Sequence, residues 1–287
     1  MLVETLIILA KIAVVIFGFV MAAGGLMTLV ERKQSALIQN RVGPNRANLF
    51  GHVRGEKLAQ ALRLGGIFHL MADGIKMLFK EDIVPDRAHK VLYTLAPMLM
   101  LLPALVVFAV IPWSDHWCVD GAIVVAGGRD VCMSEARSYF TIADLDVGFL
   151  FIFAIASLNV YGVAVAGWSS NNKFALLGGL RASAQMVSYE VPMGLSIIGV
   201  LMIFGTLNLN ELVQAQGELL FGVLPKWGII VQPVAFLLFL TASIAETKRV
   251  PFDVPEGESE IAHGYVIEYT GLKFGMMMLS EFIGVVF

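Results

Sequence analysis

Between positions 246 and 269 the chain gathers Glu246, Asp253, Glu256, Glu258, Glu260 and Glu268 into one connector. Glu256, Glu258 and Glu260 recur at every second residue, so like charges crowd whichever backbone form is adopted. Crowding of that kind raises the proton affinity of at least one carboxylate towards neutrality, the condition for exchanging protons. Val250-Pro251 and Val254-Pro255 force extended backbone twice and Gly257 loosens the residues after it, so the connector reads as a shaped loop. Phe252, Tyr265 and Tyr269 are interleaved with the acids, and a loop that only solvates seldom carries so many aromatics.

A second dense segment runs from Glu31-Arg32-Lys33 to Arg46. Gly43-Pro44-Asn45 has the chemistry of a tight turn, and it holds Arg41 and Arg46 together. Their charge suits either a phospholipid headgroup or the polar head of another ligand. Four acids stand in or beside apolar stretches: Glu31, Glu190, Glu246 and Glu281. Ionised groups cost about 2.5 to 3.5 kcal/mol each at the centre of a bilayer on insertion scales, so these are candidates for function. Pro192 follows Glu190 closely and leaves backbone carbonyls free to bind water or a proton.

The elements that must hold these groups are membrane helices. The 287 residues are 57% hydrophobic and 15% charged, with a mean hydropathy of +0.78, against roughly 25% charged in soluble proteins. Apolar stretches long enough to cross a bilayer fall at about 6–30, 91–113, 147–168, 187–205 and 228–245, with an incomplete sixth from 272. The alternation of a membrane barrel is missing, so the chain is expected to be an all-α, multi-spanning bundle forming one membrane domain over 1–287. The first stretch lacks a basic leader and a small-residue cleavage site, which makes it a retained span. At about 67–80, Ile67, Phe68, Met71, Ile75, Leu78 and Phe79 recur at helical spacing opposite Asp73, Lys76 and Lys80. That segment is too short to cross and suits an amphipathic helix lying in the interface.

Of the 20 Lys and Arg residues, sixteen fall in the connectors on one side of these spans. Arg129, Arg137 and Lys226 fall on the other, with Lys11 inside the first span. The positive-inside rule then places the N-terminus outside and the acidic loop in the cytoplasm. A net charge of −3 is too small to suggest nucleic acid. The only cysteines, Cys118 and Cys132, lack zinc or haem spacing. They form either a disulfide closing a loop of about 15 residues or two free thiols.

In order along the chain stand Glu31-Arg32-Lys33 with Gln39-Asn-Arg41-Val-Gly43-Pro44-Asn45, and Ala72-Asp73-Gly74-Ile-Lys76 running to Glu81. Gly167-Trp168-Ser-Ser-Asn171-Asn172-Lys173 follows, then Leu180-Arg181-Ala-Ser-Ala-Gln185 with Ser188-Tyr189-Glu190. Last come Pro251-Phe252-Asp253, Pro255-Glu256-Gly-Glu258-Ser-Glu260 and Glu268-Tyr269. Together these resemble the H-subunit family of bacterial respiratory complex I, the proton-pumping NADH:quinone oxidoreductase. The resemblance covers nearly the whole chain and implies a subunit of the inner membrane, at the joint between membrane arm and hydrophilic arm.

It implies, further, that quinone is the substrate and that no metal, flavin or iron-sulfur cluster is bound by this chain. The implied partners are the quinone-site and terminal-cluster subunits of the hydrophilic arm, small membrane subunits and lipids. Glu31, Arg32, Lys33, Arg41, Arg46, Asp73 and Phe252 would border the quinone tunnel. Glu81, Glu190, Asp253, Glu256, Glu258, Glu260 and Glu268 would form the acid chain that couples quinone reduction to proton pumping.

The chain departs from that family in three places. Gly51-His-Val-Arg-Gly-Glu-Lys57 lengthens the connector between Arg46 and Gly66, His69-Leu70 replace a frequent Gln-Pro, and the chain stops at Phe287 where the family continues. A membrane anchor of a related hydrogenase or ferredoxin-plastoquinone complex is the near alternative. A stand-alone proton-coupled transporter is the distant one, and the two related halves usual in transporters are missing.

Overall fold

A computed structural model describes residues 2–44, 66–113, 123–126, 129–132, 141–220, 224–255, 257 and 262–287. Helix α1 (Leu2–Ala13), a π-helical stretch (Val14–Val20) and α2 (Met21–Ile38) follow one another without a loop. Then come α3 (Ile67–Phe79), α4 (Lys90–Val106, extended by a 3-10 turn to Ala109), α5 (Gly148–Ala156), α6 (Leu158–Ser169) and α7 (Lys173–Phe204). Short α8 (Leu209–Gln216) and α9 (Gly228–Val231) precede α10 (Pro233–Glu246), a 3-10 turn (Gly264–Val266) and α11 (Gly271–Val286). The described strands form two small antiparallel ribbons, Ile123–Ala126 with Arg129–Cys132 and Leu219–Leu220 with Leu224–Pro225. The state of the Cys118 and Cys132 thiols lies outside the described residues, because Cys118 is not among them.

Four helical stretches among the described residues are long and apolar enough to cross a membrane: Thr5–Ile38, Lys90–Ala109, Gly148–Ser169 and Lys173–Phe204. Large apolar side chains stand outward on them, with Phe17 70% and Met202 79% exposed. A surface of that kind is solvated by lipid or covered by other proteins rather than by water. The architecture is therefore that of an all-α membrane protein.

The bundle is a chain of neighbours: α4 packs on α6, α6 on α7, α7 on α10, and α11 on both α4 and α2. One buried cluster, which includes Tyr93, Met100, Met186, Tyr265 and Met277, lies where α4, α6, α7 and α11 meet. A second joins Val15 and Val20 to Phe108 and Ile283. Glycine permits the closest approaches. A Cβ at Gly178 would stand 2.5 Å from the Gly264 Cα, so the far part of the acidic connector lies directly on α7.

Two boundaries differ from the hydropathy pattern. The apolar run at 187–205 is the second half of the 32-residue α7, whose first turns carry Lys173, Arg181 and Gln185 and so escape a hydrophobicity criterion. Asn172 starts this helix by accepting a hydrogen bond from the Phe174 amide (2.9 Å), and Pro192 is carried inside it without ending it. The run at 228–245 is broken at Gln232, because Pro233 at the start of α10 has no amide to continue α9. The Gln232 side chain bridges the break to α7 by donating to the Gly199 carbonyl at 3.1 Å.

Candidate functional site at the acidic loop

The basic turn and helix α3 form one side of the site. At Gly43 (φ +79°) and Gly66 (φ +103°) the backbone is left-handed, a conformation glycine adopts freely. A Cβ at Gly66 would come within 2.7 Å of the Pro44 carbonyl, so the turn after α2 and the start of α3 touch. Leu70 of α3 rests on Gly25 of α2, while Ile67, Met71, Ile75 and Leu78 remain exposed. Asp73, Lys76 and Lys80 line a cavity of about 650 Å³, with Arg32 from α2 and His263 and Phe274 beyond them.

Within this cavity wall Arg32 pairs with Asp73. Glu31 pairs with Arg249, at 3.2 and 3.3 Å from the Arg249 Nη1, and the guanidinium lies 4.2 Å over the Phe282 ring. The ends of α2 and α10 and the face of α11 are thereby joined through one arginine. Thr270 pins the segment after α3 to the start of α11: its hydroxyl donates to the Glu81 carbonyl and accepts from the Ile83 amide, both at 3.2 Å.

The acidic loop is fastened at both ends to other helices. At its start, the Gln185 amide of α7 donates to the Ala245 carbonyl (2.8 Å) and to the Phe252 carbonyl (2.7 Å). Phe252 also meets Tyr189, with ring centroids 5.4 Å apart. At its far end, Asn172 donates to the Glu268 carboxylate (2.7 Å) and Tyr93 to the Glu268 backbone carbonyl (2.6 Å). Tyr269 stacks on Tyr93 at 4.2 Å and 4°, and its hydroxyl meets the Ser169 hydroxyl at 3.3 Å. Burial pushes the Tyr269 hydroxyl up to about 12, against the opposing hydrogen bonds of Ser169 and Ser170, so it keeps its proton. Lys273 closes this end with Asp82 at 2.8 Å.

Where α10 ends, the chain makes a Schellman turn: the Arg249 amide donates to Ile244 and the Lys248 amide to Ala245. Lys248 takes the left-handed position (φ +55°) where glycine is usual, at a cost of about 1–2 kcal/mol. Its side chain turns inward, with 2% of its surface exposed, to the Glu281 carboxylate at 2.8 Å and the Tyr265 hydroxyl at 2.6 Å. The Tyr265 hydroxyl in turn donates to the same Glu281 oxygen.

The structure pairs Arg32 with Asp73 at the cavity, pairs Glu31 with Arg249, and holds Phe252 and Glu268 at the two ends of the loop. Lys33 and Arg41 are exposed, Arg41 bonding Gln39 at 2.6 Å. Glu81 is exposed beside the cavity, and Asp253 is half-buried next to Phe252. Glu190 is half-buried on α7, close enough for its charge to reach Glu246. One buried carboxylate oxygen of Glu246 has no hydrogen-bond partner among the described residues. Arg46, Glu256, Glu258 and Glu260 lie outside the described residues.

Sequence reasoning singled out Glu281 but missed its companions. Lys248, beside Arg249, reads as an interfacial base, and Gln185 as one polar residue in a polar stretch. The signal for Lys248 was present in its neighbour: two bases directly after a helix leave one free to turn inward, and a buried acid needs a partner.

The family model described as NADH dehydrogenase matches residues 10–287, and the chain belongs to that family. The NADH-quinone oxidoreductase H subunit 1 of Cytophaga hutchinsonii is 41% identical over 256 residues, 89% of this chain and 65% of the relative. The H subunit 2 of the same enzyme from Syntrophobacter fumaroxidans is 40% identical, and the H subunit 1 from Geobacter metallireducens 41%, each over 97% of this chain and 73% of the relative. The chain thus spans between 65% and 73% of the length of these curated relatives.

Proposed function

We propose, from this membership of the NADH dehydrogenase family, that the chain is the quinone-site and coupling subunit of a proton-translocating NADH:quinone oxidoreductase. The observation that carries the reading is the convergence of α2, α3, α11 and the acidic loop on one cavity bordered by Arg32, Asp73, Lys76 and Lys80. Cationic and apolar walls together suit a ligand with a polar head and an apolar tail, and Met77, Val266 and Phe274 supply the apolar part.

In this reading Glu31, Arg32, Lys33, Arg41, Arg46, Asp73 and Phe252 border the quinone tunnel, and α3 lies along the cytoplasmic interface. Electrons come from partner subunits of the hydrophilic arm, so this chain supplies path and electrostatics rather than a nucleophile. Reduction of quinone draws protons and changes the charge felt by the loop. Glu81, Glu190, Asp253, Glu256, Glu258, Glu260 and Glu268 then form the acid chain that carries the change into the membrane arm, with Glu256, Glu258 and Glu260 acting as one coupled group. The N-terminus lies outside and the loop in the cytoplasm, following the sixteen-to-three distribution of Lys and Arg.

A photoactivatable quinone analogue, reacted with the assembled complex and mapped by peptide sequencing, tests this placement. Labels are expected on α2, α3 and the start of α11. Labels confined to the connectors at 114–146 and 206–227 would refute both the site and the orientation.

A further inference from the structure

Lys248, Tyr265 and Glu281 come from three separate places: the turn after α10 at the start of the acidic connector, the 3-10 turn near the connector's end, and α11. All three are buried, at 4%, 0% and 5% exposure. Glu281 lies ten residues along α11, about 15 Å from its first residue, so the cluster sits well inside the bundle rather than at its rim. The Tyr265 oxygen accepts from the Lys248 ammonium at 2.6 Å, and its proton is directed at Glu281. Lys248 also donates directly to Glu281 at 2.8 Å and lies 4.6 Å over the Tyr265 ring.

A hydroxyl placed in this way can receive one proton and release another. We infer that Lys248, Tyr265 and Glu281 are a proton relay linking the acidic loop to the interior of α11, an inference that rests on the coupling role proposed above. In the transfer, an N–H bond of the Lys248 ammonium breaks as an O–H bond forms on Tyr265. The original Tyr265 O–H bond breaks as one forms on the Glu281 carboxylate. The ion pair thus becomes a neutral amine and a neutral carboxylic acid, with Tyr265 unchanged and no net charge created inside the bundle. Both states are net neutral, which lets a proton move at this depth without leaving a lone charge in a low-dielectric surrounding. Glu246, two residues before Lys248, carries a buried carboxylate oxygen with no hydrogen-bond partner among the described residues.

Two substitutions separate a relay from a structural ion pair. Lys248→Arg keeps the positive charge but installs a guanidinium that does not give up its proton. Tyr265→Phe keeps the ring and its packing and removes only the hydroxyl. In inverted membrane vesicles carrying the assembled complex, Lys248→Arg is expected to slow coupled NADH:quinone reduction about a hundredfold, the lower end for loss of a positioned proton-transfer group, and Tyr265→Phe, which keeps the direct Lys248–Glu281 contact, to slow it less but measurably. The iron-sulfur content of the purified complex should stay unchanged. Wild-type rates and proton-to-electron ratios in both variants would overturn the relay.

On the unsubstituted complex, infrared difference spectra between oxidised and reduced states should contain a carboxylic acid band that Glu281→Gln removes. A spectrum without such a band would likewise overturn it. The triple replacement of Glu256, Glu258 and Glu260 by Gln keeps the two ideas distinct. Loss of pumping there, with full pumping in Lys248→Arg and in Tyr265→Phe, leaves the coupling role standing and removes the relay; full pumping in the triple variant removes the coupling role itself.

Discussion

At the scale of single residues, polar side chains here each do two jobs at once. Asn172 caps α7 with its oxygen and holds the Glu268 carboxylate with its nitrogen. Replacing it by Ala should cost about 1 kcal/mol for the lost cap, read as a lower thermal midpoint of the detergent-solubilised complex. Asn172→Asp separates the two functions. It keeps the capping oxygen but sets a second carboxylate against Glu268, so the helix should hold while coupled turnover falls. Equal turnover in Asn172→Asp and the parent would show that the Glu268 contact is only structural. This double use was not legible in the sequence: Asn171-Asn172-Lys173 marks a helix start, but nothing in its spacing points to a residue 96 positions away. Carboxylates are easier to foresee, because an acid in an apolar run stands out alone. Their partners, such as Lys248 for Glu281, depend on which of two adjacent bases turns inward, and that is decided by a left-handed backbone angle that periodicity does not encode.

At the scale of elements, apolar periodicity identifies the helices and misplaces their limits where packing overrides composition. Helix α7 is the clearest case. Its first half carries Lys173, Arg181 and Gln185, yet it is helical because Gly178 and Gly179 let the 3-10 turn and α6 approach its backbone directly. A hydropathy window sees only the charges. The break at Gln232 is the converse, since an unbroken apolar run hides a helix that Pro233 must restart. The same geometry gives a direct prediction. In Gly178→Ala the new methyl would fall 2.5 Å from the Gly264 Cα and 2.7 Å from the Tyr265 amide nitrogen, both backbone atoms that cannot step aside cheaply. The segment carrying Tyr265 must shift away from α7, at about 1–3 kcal/mol for overpacking. Protease accessibility of residues 246–269 in the assembled complex should rise. Gly194→Ala on the same helix, where the added methyl meets nothing within 4 Å, should leave accessibility unchanged.

At the scale of the whole molecule, the described residues combine a lipid-suited exterior with one buried ion pair, Lys248–Glu281. The apolar windows of the four long helices are only 6% to 39% buried, so their outer faces are left for lipid or neighbouring subunits. Three ion pairs differ in depth: Arg32–Asp73 at the cavity and Glu31–Arg249 between α2 and the turn after α10 are partly exposed, and Lys248–Glu281 is buried inside the bundle. The acidic loop joins the turn that carries Lys248 to the turn that carries Tyr265. Its ends are fixed through Gln185, Tyr189, Asn172 and Tyr93, whose described contacts fall on Ala245, Phe252 and Glu268. Replacing Glu256, Glu258 and Glu260 by Gln leaves those anchors in place, so assembly should be spared while the coupled titration behind the proposed function is removed. In inverted vesicles, NADH-driven quenching of a pH-sensitive dye is expected to vanish, with the full set of partner subunits still co-purifying. Because three like charges at alternate residues share their protons, each single Glu→Gln variant should lose far less than the triple variant. Full pumping in the triple variant would assign the loop to solvation alone, and total loss in any one single variant would replace the shared titration with a single proton site.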